Sequence, residues 1–243
     1  MMVIRRVAHQ ARMALLWIAW LLLPTGCGGD GPGSELKVRP RPRPLGQAGA
    51  RLIRLPQDEP FSIALAPSQQ AAGLNGEASA EAHALREGRA DATAEVRNGG
   101  SAQAGFQIGH AFENDSDRQI EMQVRVRCGM EMAAGADPPG PLPGAKVGLR
   151  LYARDGRNRL VRNIGLMEHA TEDGAAASSE RKDVAFELLL GPRESVSVFL
   201  AGSVQVETRE GRSARGAIKL SGLEMEVRTE AAPPVGTAGD EQG

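Results

Sequence analysis

Between Ile120 and Cys128 the chain alternates without a break: Ile120, Met122, Val124, Val126 and Cys128 fall in one phase, and Glu121, Gln123, Arg125 and Arg127 in the other. A period of two belongs to the β-strand, whose successive side chains point to opposite faces. An apolar row backed by a charged one requires one face buried and one in water, the pattern of an antiparallel sheet. Such a sheet needs a second layer to cover its apolar side. The feature therefore predicts an all-β, layered protein.

Further runs extend the pattern. Phe61, Ile63 and Leu65 alternate, as do Phe106, Ile108, His110 and Phe112, then Val147, Leu149 and Leu151, and later Val184, Phe186, Leu188 and Leu190. Val196, Val198 and Leu200 follow, with Val204 and Val206. Ile218 and Leu220 stand in one phase while Leu223, Met225 and Val227 stand in the other, so Ser221-Gly222 marks a β-bulge or a break between strands. Turn residues punctuate the runs at Asn114–Asp117, Asp155-Gly156, Gly191–Glu194 and Glu210-Gly211. The turn at 114–117 predicts a hairpin between the strands on either side of it. Together these predict an antiparallel β-sandwich, immunoglobulin-like or jelly-roll, over residues 92–229. Residues 50–91 read as a short strand plus an Ala/Glu-rich surface insertion, in preference to a weak helix around Glu77–Glu87, and 230–243 as a disordered tail.

The N-terminus carries an address. Arg5, Arg6 and Arg12 precede the apolar run Met13 to Leu23, which fits a signal-peptide core and falls short of the ~20 residues that span a bilayer. Leu23-Pro24-Thr25-Gly26-Cys27 follows, and a glycine-rich stretch from Gly28 to Gly33 comes next. The arrangement resembles the lipobox of bacterial lipoproteins. The resemblance implies a signal peptide over 1–26, an acylated (palmitate-bearing) Cys27 as the new N-terminus, and a lipid-anchored Gly/Pro/Arg-rich tether over 27–49. It implies a membrane-anchored protein of the cell envelope, at the outer membrane where the organism has one. An ordinary secretion signal, or an uncleaved anchor, would leave Cys27 incidental. Arg39-Pro40-Arg41-Pro42-Arg43-Pro44 reads as a stiff, solvated spacer.

Composition excludes several classes. The formal net charge is −1, and losing three arginines with a leader leaves the body more acidic, so no footprint for nucleic acid remains. Aromatics are 3% of the chain; both tryptophans, Trp17 and Trp20, lie in the apolar run, and Tyr152 is the single tyrosine. Two cysteines give no disulfide framework, and His9, His83, His110 and His169 lack metal-ligand spacing. No cofactor motif of the phosphate-loop or dinucleotide type appears.

Candidate chemistry is sparse. Glu113 to Asp117 places oxygen donors in one turn, about two or three of the roughly six to eight that calcium takes, but these residues also simply make turns. His110 shares an apolar face with Ile108 and Phe112, which favours a core histidine with a satisfied hydrogen bond; a general base would need a partner, and neither Ser101 nor Asp183 can be brought to it from sequence. His169 reads as solvated in a polar loop. Cys128 continues the inward series from Ile120 as a buried free thiol. No nucleophile–base pair can be assembled. Two readings remain: a noncatalytic envelope module that binds a protein partner or has a structural role, its contacts on the loops Gly129–Gly144 and Glu168–Lys182, and a polysaccharide-binding or polysaccharide-active sandwich. Exposed aromatics on a concave sheet would favour the second.

Overall fold

The computed structural model describes residues 41–45, 51–137, 144–171 and 176–231. Within them the chain forms thirteen strands and no α-helix. They are β1 (Arg43–Pro44), β2 (Arg51–Leu55), β3 (Ile63–Leu65), β4 (Ser68–Ala72), β5 (Glu77–Leu85), β6 (Arg89–Arg97) and β7 (Gly100–Glu113). There follow β8 (Ile120–Asp137), β9 (Ala145–Asp155), β10 (Leu160–Ala170), β11 (Ala176–Leu190), β12 (Ser195–Thr208) and β13 (Ser213–Ala231).

Two sheets pack face to face. The first runs β7-β12-β9-β10, with β1, β3 and β4 taking successive stretches of the free edge of β7. The second runs β11-β8-β13-β6-β5, and β2 pairs with β13 beyond the end of β6. All pairings are antiparallel except β1 with β7. The pairing is nested: β9 with β10, β8 with β11, β7 with β12 and β6 with β13, each pair in the sheet opposite to the one before. This is one long hairpin rolled over itself, and the fold is a jelly-roll sandwich.

The rolling explains why β7 and β8 do not form the hairpin that their turn signal predicts. β7 belongs to the first sheet and β8 to the second. Asn114 makes the corner between them. It is wholly buried, its Nδ2 lies 2.8, 3.1 and 2.8 Å from the carbonyls of Arg118, Leu190 and Gly191, and its Oδ1 accepts from the Ser116 amide and hydroxyl. The same side chain thus ties the β7–β8 corner to the β11–β12 corner. Its oxygen is engaged within the turn, which explains the polar cluster as turn chemistry.

The core fills the space between the sheets. From β8 come Ile120, Met122, Val124, Val126, Cys128 and Met130, and from the first sheet Phe106, Ile108, Phe112, Leu149, Leu151 and Leu200. The register matches the sequence phase: Val124 stands between Phe186 and Val227. Ser221-Gly222 is a bulge within one continuous strand, with a register shift between Ser221 and Glu224 and Gly222 at φ 57°. Leu223 turns into the core there and its N–H donates to the Gly88 carbonyl.

Several expectations are corrected. The Ala/Glu-rich segment forms no helix: β5 pairs with β6 along its length, and Ala78, Ala80, Ala82 and Ala84 pack half-buried on the core while Glu77, Ser79, Glu81 and His83 face water. Alanine is a poor strand former, so pairing and burial decide here against local preference. Residues 129–137 and 176–182, expected as loops, are strands, because β8 and β11 pair from Ile120 with Leu190 to Ala134 with Ala176. Within the expected spacer, Arg43 and Pro44 pair with Phe112 and Glu113, and Leu45 is buried. The signal peptide, Cys27, most of the tether and the tail from residue 232 lie outside the described residues.

Candidate functional site

The two outer faces of the sandwich differ in chemistry. On the second sheet, cross-strand rows alternate in sign: Ala185, Arg125, Glu226 and Arg54 in one, Ser179, Glu131, Lys219, Asp91 and His83 in another. Arg125 holds Asp183 with two bonds of 2.8 and 2.6 Å, and Arg127 adds a third at 3.3 Å. The hydrogen bond from Arg125 holds the Asp183 carboxyl below its usual range. At the β13 bulge a notch of about 350 Å³ is lined by Arg54, Arg125, Arg127, Glu224 and Glu226. Three arginines there face two glutamates, and Asp183, held by Arg125 and Arg127, adds a third carboxylate nearby. This is a solvated, salt-bridged surface whose exposed pairs add little stability.

The first sheet presents neutral hydrogen-bonding groups around an aromatic pair. One row reads Gln69, Gln103, Gln205 and Lys146, and another Leu65, Gln107, Ala201 and Arg150. A third reads Gly109, Phe199, Tyr152 and Asn163. The Phe199 and Tyr152 rings lie 5.5 Å apart and 28° from parallel. Gly109 makes room for them, since a Cβ there would come within 2.5 Å of the Phe199 Cβ. Both rings point away from the core cluster, yet Tyr152 is only 3% exposed and Phe199 6%. Burial pushes the Tyr152 phenol up. Among the described residues no large aromatic is exposed, so this face offers no open ring platform.

Arg154 lies beside Tyr152, its guanidinium carbon 5.9 Å from the ring centre. It is 9% exposed, and its Nη1 donates to the backbone and side-chain oxygens of Asn158 at 3.3 and 3.2 Å. Its Nε is buried without a hydrogen-bond partner among the described residues. Further along β9, Lys146 and Arg150 reach Glu168 at 2.6 and 3.3 Å, and the bond from Lys146 chiefly lowers the Glu168 carboxyl.

The residues singled out in the sequence are distributed as follows. His110 is 3% exposed on the inner side of β7; its Nδ1 accepts the Ser62 N–H at 3.2 Å and its Nε2 faces Glu59 at 3.3 Å. Arg43 ion-pairs with the same carboxylate oxygen of Glu59. A ring nitrogen that accepts a backbone N–H carries no proton, so Nε2 is the donor to Glu59. Burial lowers the His110 pKa, with Glu59 opposing. The imidazole has no lone pair left for a substrate proton. Ser101 and Asp183 are not brought to it: Ser101 is the second residue of β7, nine positions from His110 along the same strand, and Asp183 lies on the second sheet. Cys128 is a buried free thiol, pushed up to about 11 by burial with Lys182 opposing.

His169 corrects its sequence reading. It sits in β10, half-buried, with Nε2 2.6 Å from the Ser178 hydroxyl, which also lies 3.0 Å from the Met167 sulfur. A nucleophile–base pair therefore does exist. Acyl transfer would further need an orienting acceptor for Nδ1 and donors for an oxyanion; the described residues supply His169 with Ser178 alone. No group of three or more His, Cys, Asp and Glu side chains among the described residues is placed to hold a metal ion. The sequence reading missed Arg154 and Tyr152, although both stand in the phase opposite to Leu149 and Leu151.

No protein-family model matches the sequence, and no curated protein does. Among solved structures, the chain aligns with a protein of infectious bursal disease virus, Gx strain, at 9% identity and a TM-score of 0.22, over 75% of this chain and 38% of that one. An arabinose-bound α-L-arabinofuranosidase aligns at 12% identity and 0.22, over 66% and 23% of the two chains. A carbohydrate-binding module from the β-sandwich superfamily aligns at 12% and 0.21, over 67% and 56%. The chain thus spans under two thirds of each of these. At such scores the likeness extends to layered strands, and nothing about ligands follows from it.

Proposed function

We propose that the chain is an exported, lipid-anchored binding module of the cell envelope that turns over no substrate. Its contact surface is the outer face of the first sheet. The observation that supports this reading is the difference between the two outer faces. Charges on the second sheet are in part spent on one another, as in Arg125 and Asp183, whereas the first sheet carries Gln107 half-exposed in the row next to the aromatic pair, and Gln103 and Gln205 half-exposed further along the same face. Side-chain amides both donate and accept, and a row of them on a rigid sheet is suited to recognising a polar surface. The charged start, short apolar run, Cys27 and glycine-rich stretch supply the anchor. Tethering raises the local concentration of such a face at the membrane. Capture by the loops is replaced by capture through the sheet, because most of the expected loop residues are strand.

Expression of the full chain in its own host, with metabolic fatty-acid labelling and capture on isolated envelopes, tests both parts. Wild type takes label and Cys27→Ser does not; equal labelling of the two sinks the anchor. The double change Gln103→Ala/Gln205→Ala weakens capture several-fold, while Arg125→Ala on the other sheet leaves it unchanged. Capture that is indifferent to the first pair, or lost with the second change, overturns the assignment of the face.

A further inference from the structure

We propose that the outer face of the first sheet takes an acidic, carboxylate-bearing glycan, with Arg154 receiving one of its carboxylates. The inference rests on the reading of that face as the contact surface and names its ligand class.

Arg154 carries the argument. A guanidinium is always charged, and removing it from water is costly unless its donors are met. Here Nη1 meets only the neutral oxygens of Asn158, and the buried Nε meets nothing. The carboxylate next in sequence is not available to it. Asp155 accepts from the Arg157 and Arg159 amides at 2.9 and 2.8 Å and from the Arg159 side chain at 2.6 Å. Among the described residues the site thus holds a cation and lacks an anion. A planar carboxylate fits a guanidinium edge with two parallel bonds.

Three features select a glycan as the bearer. First, β9 lies between β12 and β10, so its backbone groups are used in the sheet and no free strand edge is offered there for an extended peptide. Second, beside the apolar Leu160, the side chains near Arg154 include neutral donors and acceptors suited to hydroxyl groups: Ser197 opposite it on β12 and Asn163 beside Tyr152. Third, Lys146 and Arg150, further along the outer phase of β9, are already held by Glu168, so a ligand carboxylate is drawn to Arg154 and to the neutral groups near it.

The test measures binding of the full chain, in detergent, to polygalacturonate, to neutral dextran and to poly-glutamate at two salt concentrations. Polygalacturonate is bound, more weakly at high salt; Arg154→Gln weakens it about tenfold, and Arg154→Lys restores only part of the loss. Because Arg154 is buried, each variant is first compared with wild type by thermal melting, and Asn163→Ala and Ser197→Ala give a second route to the same site. Poly-glutamate bound as tightly as polygalacturonate would make the ligand an acidic peptide and overturn the proposal. Dextran bound equally, or polygalacturonate bound alike by wild type and all the variants, would overturn it too. Loss of envelope capture in Gln103→Ala/Gln205→Ala without any binding of polygalacturonate sinks this ligand class and leaves the broader reading standing.

Discussion

At the scale of single residues, the buried polar groups divide by whether their bonds are complete. His110 is complete: one ring nitrogen accepts from Ser62 and the other faces Glu59. Its folded pKa lies below the ordinary 6.5, chiefly through burial. Below about pH 6.5 the unfolded chain therefore binds more protons at this site than the folded one. The stability that His110 contributes is present above that pH and is lost as the pH falls toward the folded value. Urea midpoints measured at about pH 7.5 and pH 5.5 should drop for wild type and drop less for His110→Gln, which cannot titrate. An identical drop in the variant would place the responsible proton elsewhere. Arg154, in contrast, is incomplete among the described residues, and the binding role proposed for it rests on that incompleteness rather than on any motif. Neither assignment can be read from local sequence, since the partners of His110 lie 48 residues or more away and the missing acceptor of Arg154 is a property of packing.

At the scale of elements, alternation served well wherever the inward residues were large. The register of β8 follows directly from it, and Val124, 1% exposed between Phe186 and Val227, tests that register. Val124→Asp should cost more than about 3 kcal/mol, from lost burial and an unpaired buried charge. Gln123→Asp, on the opposite face, should stay within about 0.5 kcal/mol. Denaturant melts decide it, and two equally mild changes would mean a register shifted by one residue. Alternation failed where the inward residues were small or charged. The alanines of β5 read as a surface insertion or a weak helix, and Ser178, Glu180 and Lys182 on β11 read as a loop. Inward charges on an edge strand are legible only once the edge exists: Glu180 and Lys182 pair with each other at the rim of the sandwich, where β11 has a neighbour on one side alone. Such charges also guard an edge against pairing with other chains.

At the scale of the whole molecule, the nested pairing joins residues far apart in sequence, and one apolar cluster spans both sheets. Residues 51–231 should therefore unfold as one unit. Far-UV circular dichroism and alkylation of Cys128, whose thiol is buried and held largely protonated, should give the same denaturant midpoint. Alkylation that precedes the spectroscopic transition would mean that the second sheet opens before the first. The sequence by itself determined the all-β class, the two-layer arrangement, the inward face of each strongly patterned strand and the phase change at Ser221-Gly222, because each follows from the side chain's local periodicity; that the phase change is a bulge within one strand came from the pairing. It determined no pairing. Whether a turn closes a hairpin or rolls the chain into the opposite sheet depends on Asn114 meeting Leu190 and Gly191 across 76 residues or more, a contact that exists only after both corners have formed. The candidate site has the same origin. Tyr152, Phe199 and Arg154 are unremarkable in sequence, and it is the pairing of β9 with β12 that gathers them on one face and leaves a buried guanidinium without an anion among the described residues.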